Sequence, residues 1–418
     1  MTLTAAERAA VESVDTDALV ALASDLIAIR SDGGNEAAAQ RRVAGVLEDI
    51  GMQVETWNID MTALAAHEAF SEEMEHLDAL GVVGGMGGDD GPTLMFNGHV
   101  DVVPAGDAGE WTTPPYAPAL RDGRLYGRGA CDMKGGLAAA IHAVDAVGRA
   151  GLQLSGRVLV TPVIGEEDGG SGTLAALLHG IRADAAVITE PTALSVVPAC
   201  AGALSFRIHI RGLSAHGAVR HEGVSAIEKL AVVQGALNDL ERRRNARPID
   251  PLFGWLKTPF AICAGRVRGG DWPSSEADWL ELEGRYGIAP GEDPATARAE
   301  FDAAIADSAT ADDWLSQHPP RVEWWGAQFL PGLTSPDDSI VTALAGVLSD
   351  TSGRDPVVQG VPYGCDLGLM DRVGSIPTVV FGPGDINAAH RPDEFVPVSE
   401  LVECARVLAA TIVRFCGT

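Results

Sequence analysis

"PTLMFNGHVDVV", Pro92–Val103, is apolar over most of its length and ends with a histidine and an aspartate two residues apart. A strand can be this uniformly apolar when both faces of its sheet are covered, as in parallel α/β sheets. Read as a central strand, the stretch sets an α/β frame for its neighbours. It also places His99 and Asp101 at a strand end. Taken alone, H-x-D is a turn with a surface histidine, so the rest of the chain has to decide.

The flanking sequence keeps the α/β rhythm. "DMKGGLAAAIHAVDAVGRAG" reads as a helix that begins near Asp132 and stops at a glycine. "GRVLVTPVIGEE" is the next buried strand, "SGTLAALLHGI" a helix and "DAAVITEP" another strand. Upstream, apolar spacing is helical over 16–50, and 63–79 reads as a further helix. After Cys200 the texture changes. "ALSFRIHIRGL" alternates apolar and polar residues, "GVSAIEKLAVVQGALNDLERRR" is helical, and "FAICAGRVRGG" and "DWLELEGRYGI" alternate again before a helix from Asp293. This β-α-β-β-α order suits a small α+β domain. From Val322 the α/β pattern returns, with a helix over 337–350, the strand "IPTVVFGPG" and a last helix over 398–414. The expected fold is a discontinuous α/β domain, 1–201 plus 322–418, with a mixed, mostly parallel sheet covered by helices on both faces. A smaller ferredoxin-like α+β domain, 202–321, interrupts it.

The chain has 418 residues, is 46% hydrophobic and 21% charged, and carries a net charge of −28. That length calls for more than one core. A surface this acidic repels phosphate backbones and anionic lipid, which argues against nucleic-acid and membrane partners. The amino-terminal stretch lacks the basic-then-apolar order of a secretion signal, so a cytoplasmic location is expected. The six cysteines form no C-x-x-C, so neither a structural zinc cluster nor a thioredoxin-type site is indicated.

Acids and histidines recur at the predicted strand ends: His99 with Asp101, Asp132 at the mouth of a helix, Glu166–Glu167, Glu190, and finally His390. Ligands in open α/β sheets gather at that edge. Each residue has a plain alternative; Asp132, for instance, could cap its helix. Together, two imidazoles and several carboxylates make a ligand set for two divalent ions, zinc first, with cobalt or manganese possible. Asp132 can offer one oxygen to each ion, His99 and Glu190 completing one shell and Glu167 and His390 the other. Strand alternation puts Asp101 on the face of His99, where its carboxylate can accept the second imidazole N–H. Two ions bring a water's pKa toward neutrality, and Glu166 takes its proton as general base.

The stretches "NGHVDVVP", "GRGACDMKGG", "GEEDGGSGT", "ITEPT", "RGLSAHGAV" with "GVSAIEKL", and "FGPGDINAAHRPDEFVP" span nearly the whole chain in order. With them the chain resembles the dinuclear zinc family of acetylornithine deacetylase, succinyl-diaminopimelate desuccinylase, aminoacylase-1 and carboxypeptidase G. The resemblance implies the same five ligands, Glu166 as base and Asp101 in support of His99. It also implies a homodimer formed through the inserted lid domain, with His216 reaching the partner subunit's active site to stabilise an oxyanion.

Some positions depart from the family. Where many relatives have a lid asparagine, "GGDWPSSEADWLELEGR" has Ser274, with Ala277 in place of a proline. Arg285 is a candidate anion-binding residue. "GVPYGCDLGLM" resembles the deacetylase-like branch and makes Asp366 a candidate substrate contact. The expected activity is hydrolysis of the amide bond of an N-acyl amino acid or related amine, such as a deacetylase, desuccinylase or deformylase performs. Alternatives are a carboxypeptidase or dipeptidase and, further off, an N-carbamoyl amidohydrolase, whose paired glutamates are usually followed by a Ser-Arg-Phe-like run rather than by "DGGSGT".

Overall fold

A computed structural model describes residues 2–418. The chain divides into two compact units. The first comprises Met1–Ala199, Gly332–Gly360 and Cys365–Thr418; the second comprises Cys200–Pro331 with Val361–Gly364.

The first unit is built on a mixed sheet. At its centre run four parallel strands in the order Arg157–Val163, Thr93–His99, Ala185–Ile188, Thr378–Val380. Antiparallel strands Leu80–Gly87 and Gln53–Asn58 extend one side, and Val196–Cys200 the other. Leu94, Met95 and Phe96 are all buried, so successive side chains on opposite faces are both covered, as the apolar run predicts. The helix Lys134–Arg149 is buried over most of its length and packs with Val398–Cys416 in the same core. Register fixes the site's position: His99 lies beside Val163, and Asn97 beside Ile188. Parallel strands therefore deliver His99, the 165–170 loop, Glu190 and the 381–390 segment to one edge.

Two helix assignments are corrected. The 16–50 stretch is two helices, Thr16–Ala28 and Ala37–Asp49, separated by a turn in which Gly33 and Gly34 take positive φ. The 63–79 stretch holds one short helix, Met61–Leu64, and then runs as an irregular strap. No proline or glycine interrupts 63–79. Its backbone leaves the helix because tertiary partners take its amides, Asp168 accepting from Glu73 and Met74.

In the second unit, four antiparallel strands run in the order Ile262–Gly269, Trp279–Ile288, Gly202–Arg211, Arg321–Phe329. Leu204, Phe206, Ile208 and Ile210 form a core with Val233, Leu237 and Leu240 of helix Ala226–Asn245 and with Phe301 and Ile305 of helix Pro294–Ala309. The sheet's other face carries charge: Arg207 lies between Glu281, Glu283 and Glu323. The sequence-based boundary at residue 321 is too early. Arg321–Phe329 pairs with Gly202–Arg211, so this unit continues to Pro331.

Candidate metal centre

Strand ends and helix mouths of the first unit bring the sequence-predicted ligands together. Asp132 sits just before the helix that begins at Lys134, but it does not cap it; the cap position is Met133, with no side-chain cap bond. The Asp132 carboxylate instead lies between two imidazoles. Its Oδ1 is 3.0 Å from His99 Nε2, and its Oδ2 is 3.2 Å from His390 Nε2. His99 Nε2 is also 3.5 Å from Glu190 Oε1, and His390 Nε2 is 3.1 Å from Glu167 Oε1. His390 is half-exposed and takes a positive φ of 58°. The other members are buried or nearly so.

Adjacent in sequence, Glu166 and Glu167 serve different sides of this cluster. Donor atoms of His99, Asp132 and Glu167 lie within 4.8 Å of one another, and so do those of His99, Glu166 and Glu190. Their loop is tight, with Gly169 N donating to Glu166 O at 3.0 Å and Gly170 N to Gly165 O at 2.7 Å.

Asp101 differs from the expected arrangement. Its backbone carbonyl, 2.9 Å from His99 Nδ1, receives the second imidazole N–H. Its carboxylate lies 3.7 Å from that nitrogen at Oδ1, and through Oδ2 it accepts the Glu167 amide at 3.0 Å. The regular strand ends at His99, so side-chain alternation no longer governs residue 101. Either carbonyl or carboxylate fixes the same tautomer, leaving His99 Nε2 to face the acids.

Burial drives the electrostatics. It raises Glu166 and Glu190 well above the usual carboxylate range, the charge of Glu190 adding to it at Glu166 and that of Asp132 at Glu190. Asp101 is pushed up to about 7 by burial, against the pull of His99. Burial also tends to raise Asp132, but the hydrogen bonds from His390 and His99 outweigh it and hold the group below its ordinary value. Burying this many acids side by side is costly unless cations neutralise them. The donor set of two imidazoles and three carboxylates, split between the two oxygens of Asp132, fits a pair of divalent ions in number, charge and chemical type.

The supporting role of Glu394 was missed by sequence reasoning. Buried at the end of "HRPDE", it accepts the amides of Cys131 and Asp132 through Oε1 at 2.9 and 3.1 Å, and Arg128 Nη1 through Oε2 at 2.5 Å. It therefore holds the backbone of Asp132. Both "GRGACD" and "HRPDE" were legible, but nothing in either announces the other as its partner. Asn97 and Thr173 were missed too. Asn97 Nδ2 donates to Thr173 Oγ1 at 2.8 Å, and Thr173 donates to Asp366 Oδ2 at 2.5 Å. Asp366 is buried with Oδ1 unpartnered, and burial lifts its carboxyl to about 6.

The remaining candidates belong to the second unit. Exposed His216 accepts the Ala218 amide through Nδ1 at 3.1 Å, so the neutral ring carries its proton on Nε2 as a donor. Ser274 is its neighbour, accepting the Gly217 amide at 2.7 Å. Arg285 lies within the strand Trp279–Ile288 and donates to the Pro362 carbonyl at 3.0 Å. Among the described residues it has no carboxylate partner, and burial lowers its pKa.

Comparison with known proteins agrees with this chemistry. N-formyl-4-amino-5-aminomethyl-2-methylpyrimidine deformylase of Bacillus subtilis (strain 168) is 28% identical over 96% of this chain and 95% of its own. Acetylornithine deacetylase of Myxococcus xanthus is 31% identical over 83% of this chain and 88% of its own. In fold, the chain is similar to the M20 family metallo-carboxypeptidase Sso-CP2 of Sulfolobus solfataricus, with a TM-score of 0.75 at 15% identity over 94% of this chain and 98% of that one. Residues 95–414 match peptidase family M20/M25/M40, and the chain belongs to that family of hydrolases.

Proposed function

We propose that this enzyme removes an acyl group from an N-acylated amino acid or related amine by hydrolysing the linear amide bond. The observation that carries this reading is the division of Asp132 between His99 and His390. Its deacylase direction rests on the similarity to the deformylase and the deacetylase. His99, Glu190 and Asp132 would hold one divalent ion, and His390, Glu167 and Asp132 the other, zinc being the first choice and cobalt or manganese the alternatives. When bound, such ions supply Lewis acidity toward the acyl carbonyl and make a nearby water easier to deprotonate.

The chain's own residues do the rest. Glu166 takes a proton from the attacking water and delivers it to the leaving nitrogen as the C–N bond breaks. Its raised pKa brings it nearer the range in which one carboxyl can both accept and return a proton. Asp101 fixes the Glu167 amide, and Glu394 fixes that of Asp132. His216, contributed in this reading by the partner subunit of a homodimer, donates from Nε2 to the developing oxyanion. Arg285 would meet an anionic group of the substrate, while Ser274 and Asp366 are further substrate contacts. No helix among the described residues is long and apolar enough to cross a membrane. The thiols of Cys131, Cys263, Cys404 and Cys416 are free, which suits the reducing cytoplasm.

The test is a screen of N-formyl, N-acetyl and N-succinyl amines and amino acids beside dipeptides, with added zinc or cobalt. Acyl substrates should turn over. Turnover of dipeptides alone would replace the deacylase with a peptidase. No hydrolysis of any amide with either metal would end the enzyme reading.

A further inference from the structure

Away from the metal donors, the first unit buries a second group of charges. Glu36, His76 and Asp168 are 2%, 6% and 2% exposed. His76 Nδ1 is 3.2 Å from Glu36 Oε2, and its Nε2 is 3.4 Å from Asp168 Oδ2. The first contact is a hydrogen bond; the second is an ion pair without hydrogen-bond alignment. Each carboxylate keeps one buried oxygen with no hydrogen bond, Glu36 Oε1 and Asp168 Oδ1. Burial alone would push the imidazole toward neutrality, but Asp168 and Glu36 outweigh it and hold the pKa at about 10. His76 is thus a buried cation between two anions.

The three residues come from three segments: the turn before helix Ala37–Asp49, the strap after helix Met61–Leu64, and the loop that carries Glu166 and Glu167. The backbones are closely apposed. A Cβ on Gly34 would stand 2.1 Å from Glu75 O, and one on Gly169 would stand 2.2 Å from Ser71 Oγ. Asp168 also accepts the strap amides of Glu73 and Met74 at 3.3 and 3.1 Å.

We propose that His76 is a positioning residue for the Glu166–Glu167 loop, clamping Asp168 from behind while Asp101 holds the Glu167 amide from the front. The proposal rests on the roles given above to Glu166 and Glu167. Asp168 immediately follows the base and ligand pair, and its loop closes through Gly169 N on Glu166 O. Remove the cation, and two buried carboxylates repel across the place it occupied. Lost with the imidazole is a contact that ties Asp168 to the strap, so the loop is freed to move, and its movement carries Glu166 with it. Displacement of a reacting group by about 1 Å costs on the order of 100-fold in rate.

The experiment compares full-length, metal-loaded wild type with His76→Gln and with the double variant His76→Gln/Glu36→Gln. It measures kcat and KM on the best acyl substrate, bound divalent metal, and amide hydrogen exchange across 165–172 in both metal-free and metal-loaded protein. His76→Gln should lower kcat about ten- to hundredfold with KM changed by less than about twofold. It should keep its bound metal and exchange faster at Gly169 and Gly170. The double variant, which removes one carboxylate with the cation, should recover part of kcat. If the single variant fails to fold, the double variant against wild type carries the exchange comparison. Unchanged exchange, or unchanged kcat per metal-loaded enzyme, would reduce His76 to an anchor for the strap and overturn the proposal. Should wild type hydrolyse no acyl substrate, the function above fails instead, and exchange in the metal-free protein still decides the clamp.

Discussion

Replacing Glu394 by glutamine tests how Asp132 is held. Glu394 is 1% exposed and Arg128 is 2% exposed, and among the described residues Glu394 is the only acid paired with Arg128. The guanidinium otherwise has a 3.3 Å bond to the Pro104 carbonyl and the ring of Trp111 at 5.2 Å. Glutamine can keep Oε1 on the Cys131 and Asp132 amides, but its NH2 then faces Arg128 Nη1, donor against donor, where the acid makes a 2.5 Å bond. Stranding one member of a buried pair costs about 3–5 kcal/mol. That is a large share of a total stability of about 5–15 kcal/mol. The loss comes mainly from the orphaned arginine. Burial already pushes the Glu394 carboxyl up despite Arg128, so the pair does not fully offset its own desolvation. Changing both residues, as Arg128→Met/Glu394→Gln, should therefore restore much of the stability. The single variant should also bind metal about 10- to 100-fold more weakly, as loss of outer partners does elsewhere. Urea unfolding of the metal-free proteins and zinc titration by calorimetry read the two effects. A single variant that unfolds with wild type, or a double variant no more stable than the single, would refute the reasoning.

Glu166→Gln should keep its divalent metal by elemental analysis and lose about 10²–10⁴ in kcat; wild-type turnover would remove it as the base. His390→Ala should retain one metal equivalent by equilibrium dialysis, and retention of two would break the assignment of His390 and Glu167 to a shared ion. Burial lowers the pKa of His76, but Asp168 and Glu36 raise it further, from 6.5 to about 10. Its stabilisation is thus complete below about pH 6.5 and is lost as pH rises through about 10. The urea midpoint gap between wild type and His76→Gln should be widest near pH 6 and close toward pH 10, and a gap independent of pH would contradict the ion triad. Arg285→Ala should raise KM by about 10- to 100-fold for acyl substrates bearing a carboxylate and leave neutral acyl amines unaffected. An equal effect on both would refute the anion-binding role.

The sequence carried the parallel centre of the fold because those strands are apolar on both faces, a pattern that survives without knowledge of neighbours. Part of the cluster was legible for the same reason: a parallel strand releases its chain at one edge, and His99, Glu166, Glu167 and Glu190 stand at or within a few residues of strand ends. The errors lie where long-range contacts decide. Strand alternation misplaces the Asp101 carboxylate because the strand ends two residues earlier. The 63–79 strap has helical composition, and tertiary partners, among them the Asp168 carboxylate and Glu36, pull it away. Arg321–Phe329 reads as part of the α/β segment on its carboxyl-terminal side, whereas its hydrogen bonds go back to Gly202–Arg211. Glu394 and Arg128 are 266 positions apart, and no local pattern links them.

The two units divide the chemistry unevenly, which explains why the reaction class was easier to read than the substrate. All five proposed ligands, together with Glu166, Asp101 and Glu394, come from the first unit. There the main chain itself is held, Glu394 on the Asp132 amide and Asp101 on that of Glu167, while the Asp101 carbonyl orients the His99 ring. A donor set anchored through main-chain amides tolerates little change, because moving one acid disturbs the charge balance of all the others. His216, Ser274 and Arg285 belong to the second unit, where two sit in loops and Arg285 leans on a single carbonyl. Substitutions there leave the hydrogen bonds among the acids of the first unit untouched, so under the proposed roles they would change the acyl group or amine accepted without disturbing those acids. Residues bound by mutual neutralisation leave a pattern that sequence can show, while residues that answer only to a substrate leave none until that substrate is known.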